Sequence, residues 1–144
     1  MLPADRLDAI AREIGAAQDA ATQLAPITQR RAGLGVEDGY AVAARVQRAR
    51  VAAGAVPAGR KIGFTNANIW PEYGVHQPIW GWVYRHTLAS AAQDEVLDIA
   101  LSGLAEPKLE PEIAFGLRAA PPAGADVAAL AGCIEWVAPA FEVV

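Results

Sequence analysis

Apolar positions along this chain change period near residue 57, and the change divides it into a helical front and a strand-rich body. Leu7, Ile10, Ile14 and Leu24 fall near one stripe of a helix over residues 4–24, with Asp5, Arg6, Asp8, Arg12 and Glu13 on its other faces. Pro26 predicts its end, because the residue before a proline is driven out of the helical conformation. After a connector holding Arg30, Arg31, Gly33 and Gly35, a second helix is predicted from Val36 to Ala53. Glu37 and Asp38 in its first turn and Arg48 and Arg50 near its end suit the helix dipole, and Gly54 is the stop.

Beyond Pro57 the segments shorten. Arg60–Thr65, Trp82–Tyr84, Val96–Leu101 and Lys108–Leu117 read as strands, with Asn66–Tyr73 a loop or single turn. Pro121, Pro122 and Gly124 predict a turn, and Asp126–Ala131 a brief helix. Ile134–Val144 reads as a last strand interrupted near Pro139. The expected fold class is α+β: amino-terminal helices, residues 1–56, packed on a mixed, barrel-like β body, residues 57–144. The pattern ends in mid-strand at Val143-Val144 with no turn or polar tail, so the β body is expected to be incomplete at its carboxyl end.

Composition narrows the class. At 144 residues there is room for one domain with a real core, and 53% hydrophobic residues against 19% charged exclude a disordered chain. The mean hydropathy of +0.20 comes mostly from alanine rather than aromatics. A formal net charge of −4 with scattered arginines gives no footing for nucleic acid. One cysteine, Cys133, forbids an intrachain disulfide and fits a small buried residue in a reducing compartment. The amino terminus lacks the order of a signal peptide, and no apolar run reaches membrane-spanning length, so a cytoplasmic location and no membrane partner are expected.

The candidate chemistry lies in Leu109-Glu110-Pro111-Glu112-Ile113-Ala114-Phe115. On a strand, Glu110 and Glu112 share a face, because side chains alternate with period two. Two carboxylates heading into a core repel and resist desolvation unless a positive charge compensates them. Glu142, alone in the apolar run Phe141-Glu142-Val143-Val144, would complete a three-oxygen face suited to Mg²⁺ or Mn²⁺. The same spacing also fits an ordinary solvated strand face, and spacing by itself does not bring the three carboxylates together.

These segments, taken with Gly59-Arg60-Lys61-Ile62-Gly63-Phe64-Thr65 and Gly74-Val75-His76-Gln77-Pro78-Ile79-Trp80-Gly81, occur in the order and spacing of one family. The chain resembles the 2-keto-4-pentenoate hydratase and 4-oxalocrotonate decarboxylase branch of the fumarylacetoacetate hydrolase superfamily. Members of that family are considerably longer. The resemblance implies that Glu110, Glu112 and Glu142 hold Mg²⁺ or Mn²⁺, which a small 2-oxo acid chelates. It implies a lyase, with hydration of a 2-hydroxydienoate ahead of decarboxylation and of hydrolytic carbon–carbon cleavage. A non-catalytic partner subunit, or a fragment that binds metal without turnover, is the reading from a different class. A homo-oligomer is expected, with a pathway decarboxylase or hydratase as a possible companion.

Lys61 shares a predicted strand face with Gly63 and Thr65, and the glycine leaves room for a ligand. With the family context, Lys61 is expected to bind the substrate carboxylate or exchange a proton, and Thr65 to line the same pocket. Without that context, a lysine at a strand edge reaching water is the simpler account. The resemblance departs at Gly74–Gly81, where many family members carry two acids and this chain has His76 and Ile79. His76 is the residue placed to take over proton transfer, although a lone loop histidine is more often inert. Trp70, Tyr73, Trp80, Trp82 and Tyr84 read either as a pocket wall or as core and subunit contact.

Overall fold

In the computed structural model, which describes residues 1–144, the chain forms two units, Met1–Gly103 and Leu104–Val144. The first opens with helix α1, Ala4–Asp19, whose buried stripe is Leu7, Ile10, Ala11 and Ala17. A short α2, Ile27–Arg30, leads to α3, Val36–Ala52. Leu7 and Ile10, 2% and 1% exposed, meet Val42 of α3, with Leu2, Ile14, Ile27, Leu34, Ala41 and Val46 around them. Burying side chains of that size contributes about 1.5–3 kcal/mol each. Ion pairs Arg45–Asp8 and Arg50–Asp19, both 2.6 Å, cross the outer seam of the two helices, where partly exposed pairs add little.

The helix ends differ from expectation in one case. α3 stops as predicted: Gly54 takes φ +98°, its N–H donates to Val51 O and the Ala55 N–H to Arg50 O. α1 stops at Asp19, short of Leu24 and well before Pro26. The same pair of bonds closes it, from Ala21 N–H to Gln18 O and from Thr22 N–H to Ala17 O, with Ala21 at φ +48°. An alanine holds the left-handed position that glycine usually takes, and so the stop carries no sequence signal.

Strand β1, Pro57–Gly63, pairs antiparallel with β2, Ile79–Tyr84, through a one-residue irregularity after Pro57. One face carries Arg60, Ile62, Trp80 and Trp82. The Arg60 guanidinium lies over the Trp82 ring, 3.1 Å from its centroid, and 4.8 Å from that of Trp80. Tyr40 of α3 stacks on Trp80 at 5.4 Å, and its hydroxyl accepts the Trp80 N–H at 3.3 Å, so one side chain ties α3 to this face of the pair. Between the strands lie a 3₁₀ turn, Ala67–Ile69, and the single-turn α4, Trp70–Tyr73, capped by left-handed Gly74. The predicted strand at Val96–Leu101 is absent: no partner strand lies alongside, and these residues run irregular and exposed.

The second unit is an antiparallel ribbon, β3, Leu109–Leu117, with β4, Ile134–Val143, joined through α5, Val127–Cys133. Asp126 caps α5, its carboxylate accepting the Ala129 N–H at 2.8 Å. β4 is not interrupted at Pro139; the register runs unbroken from Leu109↔Val143 to Gly116↔Trp136. Lys108 and Val144 exchange both backbone hydrogen bonds, at 2.7 and 2.9 Å. Alternation then places Glu110–Glu142 and Glu112–Ala140 at hydrogen-bonded positions, and Pro111–Phe141 and Ile113–Pro139 between them. Both prolines thus stand where the missing N–H would have pointed away from the partner strand. At Gly116 a Cβ would overlap the Trp136 indole, and the register slips by one residue just beyond. The α+β expectation is borne out, as two open two-stranded sheets and their helices. No helix is long and apolar enough to cross a membrane.

Candidate metal centre

Alternation along β3 puts Glu110 and Glu112 on one face, and the register sets Glu142 directly opposite Glu110. In a hydrogen-bonded antiparallel pair the facing Cα atoms stand about 5.5 Å apart, within reach of two glutamate side chains meeting above the sheet. Ala140, opposite Glu112, leaves that corner open, and Ala114 and Ala138 follow on the same face. One ligand oxygen from each of Glu110, Glu112 and Glu142 lies within 4.8 Å of the others. Glu110 is exposed, while Glu112 and Glu142 are half-buried.

The donor set suits a hard divalent cation. Three carboxylate oxygens on one face leave the rest of a coordination sphere for water or a chelating ligand. Oxygens on opposite sides of a Mg²⁺ ion stand about 4.2 Å apart, and of Ca²⁺ about 5 Å, so small side-chain rotations suffice to close the set on either. Two carboxylate charges about 4 Å apart repel by about 1 kcal/mol in water and about 4 kcal/mol at an effective dielectric of 20. A cation converts that repulsion into attraction.

Lys108 is a residue that the sequence reading passed over. It stands on the carboxylate face, two positions before Glu110, and is the only cation among the paired residues there. The signal was the period-two rule already applied to the glutamates, run one step further back.

The other expected site residues lie in the first unit. Lys61 is on β1 opposite Gly81, with Gly59 and Gly63 two positions to either side. Its ammonium donates to the Ile62 carbonyl at 3.3 Å. The face over Gly59 and Gly81 is open, whereas a Cβ on Gly63 would sit 3.4 Å from the Ile79 side chain, closer than expected for a ligand's approach. Thr65 does not continue the Lys61 face. β1 ends at Gly63 and Phe64 turns to φ +54°, which breaks the alternation. That turn is held by the Trp70 indole N–H donating to Phe64 O at 2.8 Å and by Tyr73 edge-on to the Phe64 ring at 5.4 Å. His76 lies in the loop after α4, and His86 stacks on Tyr84 at 5.8 Å. Cys133 is buried at the end of α5, its thiol donating to Ala129 O.

Comparison with known proteins gives a consistent relationship. A 2-hydroxyhexa-2,4-dienoate hydratase from Comamonas testosteroni is 34% identical over 126 residues, 86% of this chain and 47% of the relative. A 2-hydroxypent-2,4-dienoate hydratase from Pseudomonas putida is 36% identical over 123 residues, 83% of this chain and 53% of the relative. The solved 4-oxalocrotonate decarboxylase of Pseudomonas putida G7, in complex with magnesium and adipate, superposes with a TM-score of 0.87 at 25% identity, over all of this chain and 54% of its own. The same decarboxylase has been solved with calcium and acetate. No family model matches the chain. The chain spans about half the length of the curated relatives it matches. Over that length, it is similar to the 2-hydroxydienoate hydratases and to 4-oxalocrotonate decarboxylase, in keeping with the branch of the fumarylacetoacetate hydrolase superfamily that its sequence resembles.

Proposed function

We propose that this chain carries the metal-chelating site of a hydro-lyase acting on a small unsaturated 2-oxo acid of the 2-hydroxydienoate type. The observation that carries this reading is the convergence of Glu110, Glu112 and Glu142 on one ribbon face, in a chain matched over 86% of its length to a dienoate hydratase. The three carboxylates hold Mg²⁺ or Mn²⁺. When bound, such an ion supplies a Lewis acid that polarises a 2-oxo group and offsets negative charge developing on the conjugated acid.

The remaining roles belong to the chain's own side chains. Lys108, beside Glu110, attracts the anionic substrate to the carboxylate face and offsets part of its charge. Lys61 binds the substrate carboxylate, and its ammonium exchanges a proton as water adds across the conjugated bond. His76 serves the same proton traffic. The working enzyme is a cytoplasmic homo-oligomer, with a pathway decarboxylase or hydratase as companion. Decarboxylation is the second reading, favoured by the superposition on 4-oxalocrotonate decarboxylase.

Calorimetry with Mg²⁺ and Mn²⁺, with and without oxalate as a planar 2-oxo-acid mimic, tests the site. The wild type is expected to bind metal and to bind it more tightly with oxalate. Glu110→Gln is expected to lose at least about tenfold in metal affinity, roughly 1.4 kcal/mol. A wild type that binds neither ion ends the metal-lyase reading for this chain. If metal binds, product assays separate a hydroxylated acid from carbon dioxide.

A further inference from the structure

The carboxylate face of the β3–β4 ribbon changes character along its length. In pairing order it runs Lys108–Val144, Glu110–Glu142, Glu112–Ala140, Ala114–Ala138 and Gly116–Trp136. Charge is confined to the first three rows, and beyond them only methyl groups and an indole remain. Ala114, Ala138 and Ala140 are half-buried, whereas Ile113, Phe115, Val137 and Phe141 on the opposite face are exposed. The Trp136 indole lies over buried Gly116, where a Cβ would overlap it, and stands at the far end. A strand rises about 3.4 Å per residue, so successive rows are about 7 Å apart. A shallow apolar trough therefore leads from the carboxylates to the indole.

We infer that this trough holds the hydrocarbon tail of the 2-oxo acid, and that its alanines and Trp136 set the length of tail the site accepts. The inference rests on the proposed metal-chelating function and adds an orientation to it. An acid chelating an ion held by Glu110, Glu112 and Glu142 has two ways to lie along the ribbon. Toward Lys108 the face is cationic, which suits a carboxylate; toward Trp136 it is apolar, which suits a hydrocarbon chain. The order of groups along the face thus matches the order of groups along the substrate. Alanine at 114, 138 and 140 keeps the space above the strands open, and a larger side chain there would fill it. An extended chain advances about 1.2 Å per bond. A 2-oxo acid of eight carbons therefore reaches about 7 Å beyond its 2-oxo carbon, to the Ala114–Ala138 row. The next row is the indole.

Calorimetry on the full chain in Mg²⁺ tests it, with oxalate and with saturated 2-oxo acids of about four to ten carbons as probes. The wild type is expected to gain about threefold in affinity per added methylene up to about eight carbons, and nothing further at ten. Ala138→Leu is expected to lose that gain, so that its preference for the eight-carbon acid over oxalate falls at least about tenfold. Trp136→Ala is expected to extend the gain to the ten-carbon acid. Should Ala138→Leu misfold by circular dichroism, Ala114→Val is expected to show the same loss. A wild type that binds oxalate but is indifferent to chain length overturns the trough and leaves the metal site standing. A gain that survives the alanine substitutions, or that stops at the same length in Trp136→Ala, overturns it equally. If neither Mg²⁺ nor oxalate binds, the chelating function fails and this inference with it.

Discussion

Asp38 is 3% exposed, and its carboxyl is held below the ordinary carboxylate range. Its carboxylate accepts the Leu2 N–H at 2.7 Å and the Gly35 N–H at 3.3 Å, tying the start of the chain to the first turn of α3. Gly35 has no side chain to return a bond, so the reciprocal pairing of a full capping box is not made. The Leu2 bond holds the Asp38 carboxyl below the ordinary carboxylate range, against burial, which raises it; the Gly35 bond and the terminal ammonium lower it further. A folded-state value below the unfolded one stabilises the fold above the unfolded value. That contribution is lost as pH falls through the unfolded value and on through the folded one. Asp38→Asn is therefore expected to be less stable than wild type in urea near pH 7, with the gap closing as pH falls below the ordinary carboxylate range. Parallel curves across that range would assign Asp38 no such role.

Among the elements, α1 shows a helix end closed by the wrong residue. Ala21 pays for its left-handed conformation at φ +48° where glycine would be free of strain. Ala21→Gly is expected to stabilise the first unit by about 0.5–1 kcal/mol in chemical denaturation, with the helix ending in the same place. A destabilisation would mean that the Ala21 methyl makes contacts worth more than the strain. The β3–β4 ribbon is the opposite case, with each special residue matched to its place. The prolines sit at outward positions, and Gly116 makes room for Trp136.

Across the whole molecule, hydrophobic burial is uneven. The tight core lies between α1 and α3, while the ribbon that carries the carboxylates leaves one face apolar and exposed. The ribbon's stability is then expected to depend strongly on ligands. Mg²⁺ at a hundred times its dissociation constant should add about 2.7 kcal/mol to unfolding, and a chelator should reverse this. Differential scanning calorimetry with a magnesium titration reads the effect, and an unfolding midpoint indifferent to both would count against a carboxylate-bound ion.

Much of this was determined by sequence alone: the extent of α3, the α+β class, and Glu110 and Glu112 on a shared face. Each follows from period, caps or alternation acting over a few residues, and local energies suffice to set them. Tertiary structure decided the rest. Only the β3–β4 register brings Glu142 opposite Glu110, because pairing across a long connection depends on contacts that no local pattern encodes. The absence of a partner strand left Val96–Leu101 irregular despite its apolar alternation. Contacts from Trp70 and Tyr73 turn the chain at Phe64 and remove Thr65 from the Lys61 face, and Ala21 ends α1 without the glycine that would have announced it. Local propensity proposes an element, but the non-local partners that bury or pair it determine whether it forms and what it faces.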